Sequence, residues 1–91
     1  MEITNVQLKR LEGDGKVKAL VTLTFDKVFV IHDIRLVDTE KGFLVAMPSK
    51  KVGEKEYRDI AHPIENKLRE KITFAVLNAY TDSQSQSEIK D

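Results

Sequence analysis

The sequence predicts an α+β domain, an antiparallel β-sheet of four to five strands followed by one amphipathic C-terminal helix. Three observations predict it. Apolar residues alternate with a period of two in several segments up to Ile60, and turn residues break those runs at short intervals. After Pro63 the spacing changes to threes and fours. A run of strands followed by a single helix gives an α+β domain with an antiparallel sheet.

Segment 2–11 is rich in residues that tolerate a strand, and Glu12-Gly13-Asp14-Gly15-Lys16 follows it. Asp-Gly between strand-like runs is a hairpin signal, because glycine takes a positive φ at no steric cost. Val17, Ala19, Val21, Leu23 and Phe25 then alternate with Lys18, Leu20, Thr22 and Thr24, which is the clearest strand in the chain. A turn at Asp26-Lys27 leads into 28–37. There Val28, Val30, Ile34 and Leu36 are expected on one face with His32. Phe29, Ile31, Asp33, Arg35 and Val37 are expected on the other. Both faces are apolar near its start, so this strand is expected to be central or covered on both sides. Segment 38–42 is turn chemistry, 43–47 is a fourth short strand, and Pro48 stops it because proline cannot donate to a ladder. A loop around Gly53 leads to a fifth strand at 56–60.

His62-Pro63 is expected to open the helix, with proline in the first turn where its missing N–H costs nothing. Ile64, Leu68, Ile72, Ala75, Val76 and Ala79 fall within about 120° of arc, and the helix is expected to reach Tyr80, about 27 Å on. Phe74 and Leu77 lie about 140° and 160° from the centre of that stripe. Either they are singly exposed, or they form a second buried face against another subunit or an outlying strand.

Composition bounds the function. Ninety-one residues make one domain, 1–81, with a polar tail at 82–91 that is expected to stay disordered. That length is too short for a (β/α)₈ barrel or a full dinucleotide-binding enzyme. No cysteine is present, which removes disulfides, thiol nucleophiles and cysteine-ligated zinc. No apolar run approaches the ~18–20 residues of a membrane span, and the first residues lack a signal peptide's apolar centre, so a cytoplasmic protein with no membrane partner is expected. The formal net charge is zero, which argues against a generally basic nucleic-acid binder. The balance is uneven, however. The tail holds three of the fifteen acidic residues and one of the fifteen basic ones, leaving fourteen basic and twelve acidic residues in the body.

Catalytic chemistry is sparse. His32 and Asp33 are strand neighbours whose side chains point to opposite faces and form no relay. His62 precedes Pro63, where capping and packing roles are expected. Two histidines without cysteine or a helical i, i+4 pair make no metal site. No phosphate-binding glycine loop or nucleophile elbow occurs. No enzyme activity, cofactor or small-molecule substrate is expected. Anion binding is better represented. Ser49-Lys50-Lys51 follows a strand in a turn-prone segment, and Lys67 and Lys71 are i, i+4 neighbours able to straddle a phosphate backbone. Arg69 lies about 160° from Lys67 on the wheel, so one groove does not easily meet all three.

The motifs FVIHDIRLVD (29–38), GFLVAMPSKK (42–51) and EYRDIAHPI (56–64), in this order, resemble the stage V sporulation protein G (SpoVG) family of septation regulators. EITNVQLKRL and REKITFAVLNAY match its layout, so the resemblance runs from Met1 to about Tyr80. It implies a bacterial cytoplasmic regulator that binds specific DNA sites, and in some members RNA, with links to septation, cell division, sporulation and gene expression. It also implies assembly as a homodimer, in which Phe74 and Leu77 find a partner. The family's nucleic-acid contacts, carried onto matching positions, fall on Lys50, Lys51, Arg58, Lys67, Arg69 and Lys71. Lys51 stands where the family motif usually has arginine, keeping the charge but losing the bidentate fork. Val52-Gly53-Glu54-Lys55 replaces a more usual Pro-Asp-Gly turn. The competing expectation is a protein-interaction module of the division machinery, contacting its partner through a sheet edge or through Phe74 and Leu77.

Overall fold

A computed structural model describes the backbone of residues 1–90 and the side chains of residues 1–82. In chain order the elements are β1 (Ile3–Arg10), β2 (Val17–Phe25), β3 (Phe29–Thr39), β4 (Gly42–Ala46), β5 (Ser49–Lys51), β6 (Tyr57–Asp59) and α1 (Asn66–Lys90). The first four form one antiparallel sheet in the order β1-β2-β3-β4, and β5 and β6 form a separate two-stranded sheet. The expected fifth strand therefore exists but does not join the main sheet. Its partner is a three-residue strand just past Pro48, where the sequence leads one to expect a turn-prone segment.

The regular alternation of β2 supplies the core. Ala19, Val21, Leu23 and Phe25 are buried on one face together with Ile34 and Leu36 of β3, Met47, and Ile72 and Val76 of α1. Ile3, Val6 and Leu8 of β1 pack against the same cluster, because the register sets Val6 opposite Leu23 and Leu8 opposite Val21. The helix thus covers one face of the sheet, lying nearest β1 and reaching β4. On the other face Leu20, Val30 and Leu44 stay exposed.

The turns follow their residues. Gly13 (φ 112°) and Gly42 (φ 116°) occupy conformations that a side chain rarely adopts. Asp26 and Lys27, at φ 52° and 61°, are the central pair of a type I′-like turn without any glycine, closed by the Val28 N–H donating to the Phe25 carbonyl at 3.0 Å within a three-residue connection. Its fastenings lie on β1 and its approach. Asp26 Oδ1 accepts from the Glu2 N–H at 2.9 Å, and the Lys27 N–H donates to Thr4 Oγ1 at 2.9 Å.

Two expectations are corrected. The face assignment of β3 fails at a bulge. Asp33 sits at φ 64°, and the pairing steps from Val21↔Ile34 to Leu23↔Ile31, so β3 carries one more residue than β2 there. The extra residue reverses the alternation. Ile31 and Phe29 share the face of Ile34 and Leu36, while Val30 goes to the exposed side with Arg35. The helix, in turn, begins at Asn66 rather than at Pro63. The Pro63 carbonyl is occupied by side chains, accepting from His62 Nδ1 at 3.1 Å and Arg69 Nη2 at 3.4 Å. The Arg69 N–H donates to the Glu65 carbonyl at 3.1 Å. Ile64 consequently lies outside the helix and is 95% exposed, while Pro63 is buried.

With Ile64 removed, the buried face centres near Val76, about 60° from the expected stripe. Leu77 and Tyr80 then lean on the core beside Leu68. Helix α1 continues beyond Tyr80 to Lys90. The expected disorder of 82–91 concerns a stretch whose side chains, apart from Asp82, lie outside the described residues.

Candidate nucleic-acid interface

The six cations singled out from the sequence divide among three places. Lys50, Lys51 and Arg58 belong to the β5–β6 ribbon, whose register is Ser49↔Asp59, Lys50↔Arg58 and Lys51↔Tyr57. Two further bonds lengthen the pairing. The Ile60 N–H donates to the Pro48 carbonyl at 2.7 Å, and the Val52 N–H to the Glu56 carbonyl at 3.0 Å. Residues directly opposite share a face, so Lys50 and Arg58 stand side by side on one side of the ribbon. Every residue from Lys50 to Ile60 is exposed. Neither Lys50, Lys51 nor Arg58 has a carboxylate within 4 Å among the described residues.

The ribbon is anchored at its base. Met47 is 5% exposed and plugs the core just before β5 begins. Arg35 of β3 donates from Nη2 to the Met47 carbonyl at 3.4 Å and to Ser49 Oγ at 3.1 Å. Sequence reasoning assigned Ser49 to phosphate and gave Arg35 no role. In the structure Ser49 and Arg35 join the ribbon to the sheet. The signal was faint, a serine and an arginine fourteen residues apart, and only the register of β3 reveals it.

Lys67 and Lys71 lie on the outer flank of α1, as their spacing implies. With Met1, Glu65 and Leu68 they line a shallow cavity of about 290 Å³. Lys71 Nζ is 3.9 Å from Glu2 Oε1, with both side chains mostly in solvent, an ion pair worth little. Arg69 turns to the other side, where it bonds the Pro63 carbonyl. The expectation that one groove does not easily meet all three helix cations agrees with this geometry.

The two apolar residues set apart from the stripe separate as well. Phe74 is 70% exposed and borders an open cavity of about 620 Å³ with Ile3, Val6 and Leu8 of the β1 edge. Leu77 leans on the chain's own core. The histidines stay apart too. His32 Nδ1 lies 3.4 Å from Thr22 Oγ1 on the uncovered sheet face, and His62 contacts the adjoining Pro63 carbonyl. Among the described residues, no three His, Cys, Asp or Glu side chains cluster as metal ligands, and no helix is long and apolar enough to cross a membrane.

The chain's likeness to known proteins is extensive. The SpoVG family model matches residues 1–82. A septation protein SpoVG from Heliobacterium modesticaldum is 53% identical over 83 residues, covering 91% of this chain and 93% of that one. One from Shouchella clausii is 52% identical over 80 residues, covering 88% and 82%. One from Lachnoclostridium phytofermentans is 45% identical over 91 residues, covering 100% of this chain and 98% of its own. With the family match spanning all six strands and the helix as far as Asp82, the chain belongs to the SpoVG family, and the three relatives above are named for septation.

Proposed function

We propose that this protein is a dimeric, non-catalytic regulator that binds specific DNA sites in the cytoplasm, with RNA as a second ligand, in control of septation, cell division, sporulation or gene expression. The observation that carries the reading is the exposed β5–β6 ribbon, with Lys50 opposite Arg58 and, among the described residues, no carboxylate within 4 Å of either. Lys51, and the helix pair Lys67 and Lys71, supply further ammonium groups suited to phosphate oxygens. Dimerisation supports the mechanism electrostatically. One body with fourteen basic and twelve acidic residues is a weak footprint, and two-fold symmetry doubles every basic element. Phe74, exposed beside the β1 edge, is the side chain we assign to the dimer contact.

The test is the variant with Lys50, Lys51, Lys67 and Lys71 all replaced by alanine. It is expected to lose affinity for duplex DNA while sedimenting as the same dimer, since all four side chains are exposed. Unchanged binding, or no binding by the parent chain, would move the assignment to the competing reading. That reading is an interaction module using Phe74 and the β1 edge as its contact surface.

A further inference from the structure

We infer that the open half of the β3 edge, residues 29–33, pairs with the same segment of a second copy across a two-fold axis at Val30, a contact that carries association beyond the dimer. It lies at the sheet edge away from Phe74, goes past the dimer proposed above, and needs no nucleic acid.

The edge is open because β4 is short. β2 pairs with β3 from Phe29 to Val37, whereas β4 reaches only residues 35–39 and ends at Ala46, after which the chain leaves for the β5–β6 ribbon. Residues 29–33 therefore have a neighbouring strand on one side only. Among the described residues, no backbone hydrogen bond joins them to a loop on the other side. Proteins blunt such edges with lysine, proline or inward-pointing charge, and an apolar edge left bare is a site of association. Between Lys27 and Asp33 this edge has no acid, lysine, arginine or proline, and Val28, Phe29 and Val30 are all exposed. Five strand residues give about 16 Å of unpaired edge at ~3.3 Å per residue.

Charge complementarity names the occupant. In an antiparallel pairing centred on Val30, Phe29 meets the second copy's Ile31, Val28 meets its His32, and Lys27 meets its Asp33. Lysine thus faces aspartate at both ends, and the middle sets an aromatic side chain against a β-branched one, pairs that favour each other across strands. Neighbouring registers lose this match. An axis at Ile31 sets Lys27 against the second copy's Arg35, and an axis at Phe29 sets it against Ile31. Space permits the register at Val30 as well. Beyond Asp33 the second copy's β3 passes the Asp26-Lys27 turn, so its β4, which starts pairing only at Arg35, lies clear of the contact. The axis stands perpendicular to the sheet, which continues across it with both helices on one face. Phe74, beside β1 at the far edge, stays available for its own contact. A contact of this length falls under the ~1,200 Å² below which association is weak and transient, so it acts only where copies are concentrated.

The experiment is sedimentation equilibrium of the full-length chain at about 5 µM and about 1 mM, concentrations that bracket weak association, with NMR amide spectra over the upper part of that range. The parent's mean mass is expected to rise from that of a dimer toward that of a tetramer, with amide shifts centred on residues 28–32. Val30→Lys sets two ammonium groups against each other on the axis and is expected to abolish the rise. Val30→Thr keeps a β-branched side chain and is expected to retain it. Lys27→Asp turns both matched charge pairs repulsive and is expected to weaken the association by about two- to 30-fold. Phe74→Asp is expected to be monomeric at the lower concentration and still to rise toward a dimer at the higher one, which separates the two contacts. A mean mass equal at both concentrations, a rise that survives Val30→Lys, or amide shifts that avoid β3 would each overturn the inference. A parent chain already monomeric at the lower concentration would instead overturn the Phe74 contact, while a rise to dimer that vanishes with Val30→Lys would uphold this one.

Discussion

Replacing Tyr80 by leucine tests how the helix that carries Lys67 and Lys71 is held to the sheet. The Tyr80 ring lies between two edge strands. The Arg10 guanidinium of β1 sits 4.3 Å from its centroid, and Phe43 of β4 meets it edge-on at 5.6 Å. Arg10 also donates to the Tyr80 hydroxyl at 3.3 Å and to its carbonyl at 3.4 Å, distances that mark weak bonds. Leucine keeps most of the apolar bulk and the carbonyl but removes both ring interactions. A partly exposed cation–π contact is worth about 0.5–1 kcal/mol and an edge-on aromatic pair about 0.5–1.5 kcal/mol. The expected loss is about 2 kcal/mol, which for a domain of this size lowers Tm by about 8–16 °C. Urea denaturation of the parent and the variant at one protein concentration keeps the contribution of any dimer equilibrium the same in both, so that their difference reads the loss. Combining Tyr80→Leu with Arg10→Met in a double-mutant cycle isolates the cation–π part, expected at about 0.5–1 kcal/mol. A total loss below about 0.5 kcal/mol would refute the reasoning, because the ring would then not be what fastens α1 across the sheet.

Two further changes probe other parts of the account. Lys27→Gly relieves a positive φ of 61° in the type I′-like turn and is expected to stabilise the fold by about 0.5–1 kcal/mol, read as a rise in Tm. Neutral or lower stability would mean that the turn is unstrained. Phe74→Asp is expected to convert the dimer to monomer in sedimentation while leaving the fold intact. Leu77→Ala should instead lower stability, since Leu77 packs inward, and a dimer indifferent to Phe74→Asp would remove that side chain from the interface.

The sequence is most legible where one face is buried without interruption. β2 alternates through nine residues, and each of its alternate apolar side chains from Ala19 to Phe25 is in the core. β3 is legible as a strand but not in its facing, because a single bulge at Asp33 reverses the alternation and leaves no mark in hydrophobic spacing. The helix starts at Asn66 instead of Pro63 for a similar reason. Pro63 favours a first turn locally, yet the engagement of its carbonyl by His62 and Arg69 depends on tertiary placement. Of the candidate site, the cations themselves could be read directly, as could the flank shared by Lys67 and Lys71. The opposition of Lys50 and Arg58 could not, because it depends on a three-residue strand following a proline. Neither could the anchoring of Ser49 by Arg35, which exists only once β3 has its register.

The most direct test of the central claim is the affinity of the full-length chain for duplex DNA measured from 50 to 200 mM salt. About four phosphate contacts per dimer give a slope of log K against log salt near −3.6, or a loss of about 150-fold across that range. The account predicts a slope of that size, made shallower by the alanine replacements at Lys50, Lys51, Lys67 and Lys71. Affinity that holds constant across the range, or a slope indifferent to those four replacements, would contradict it.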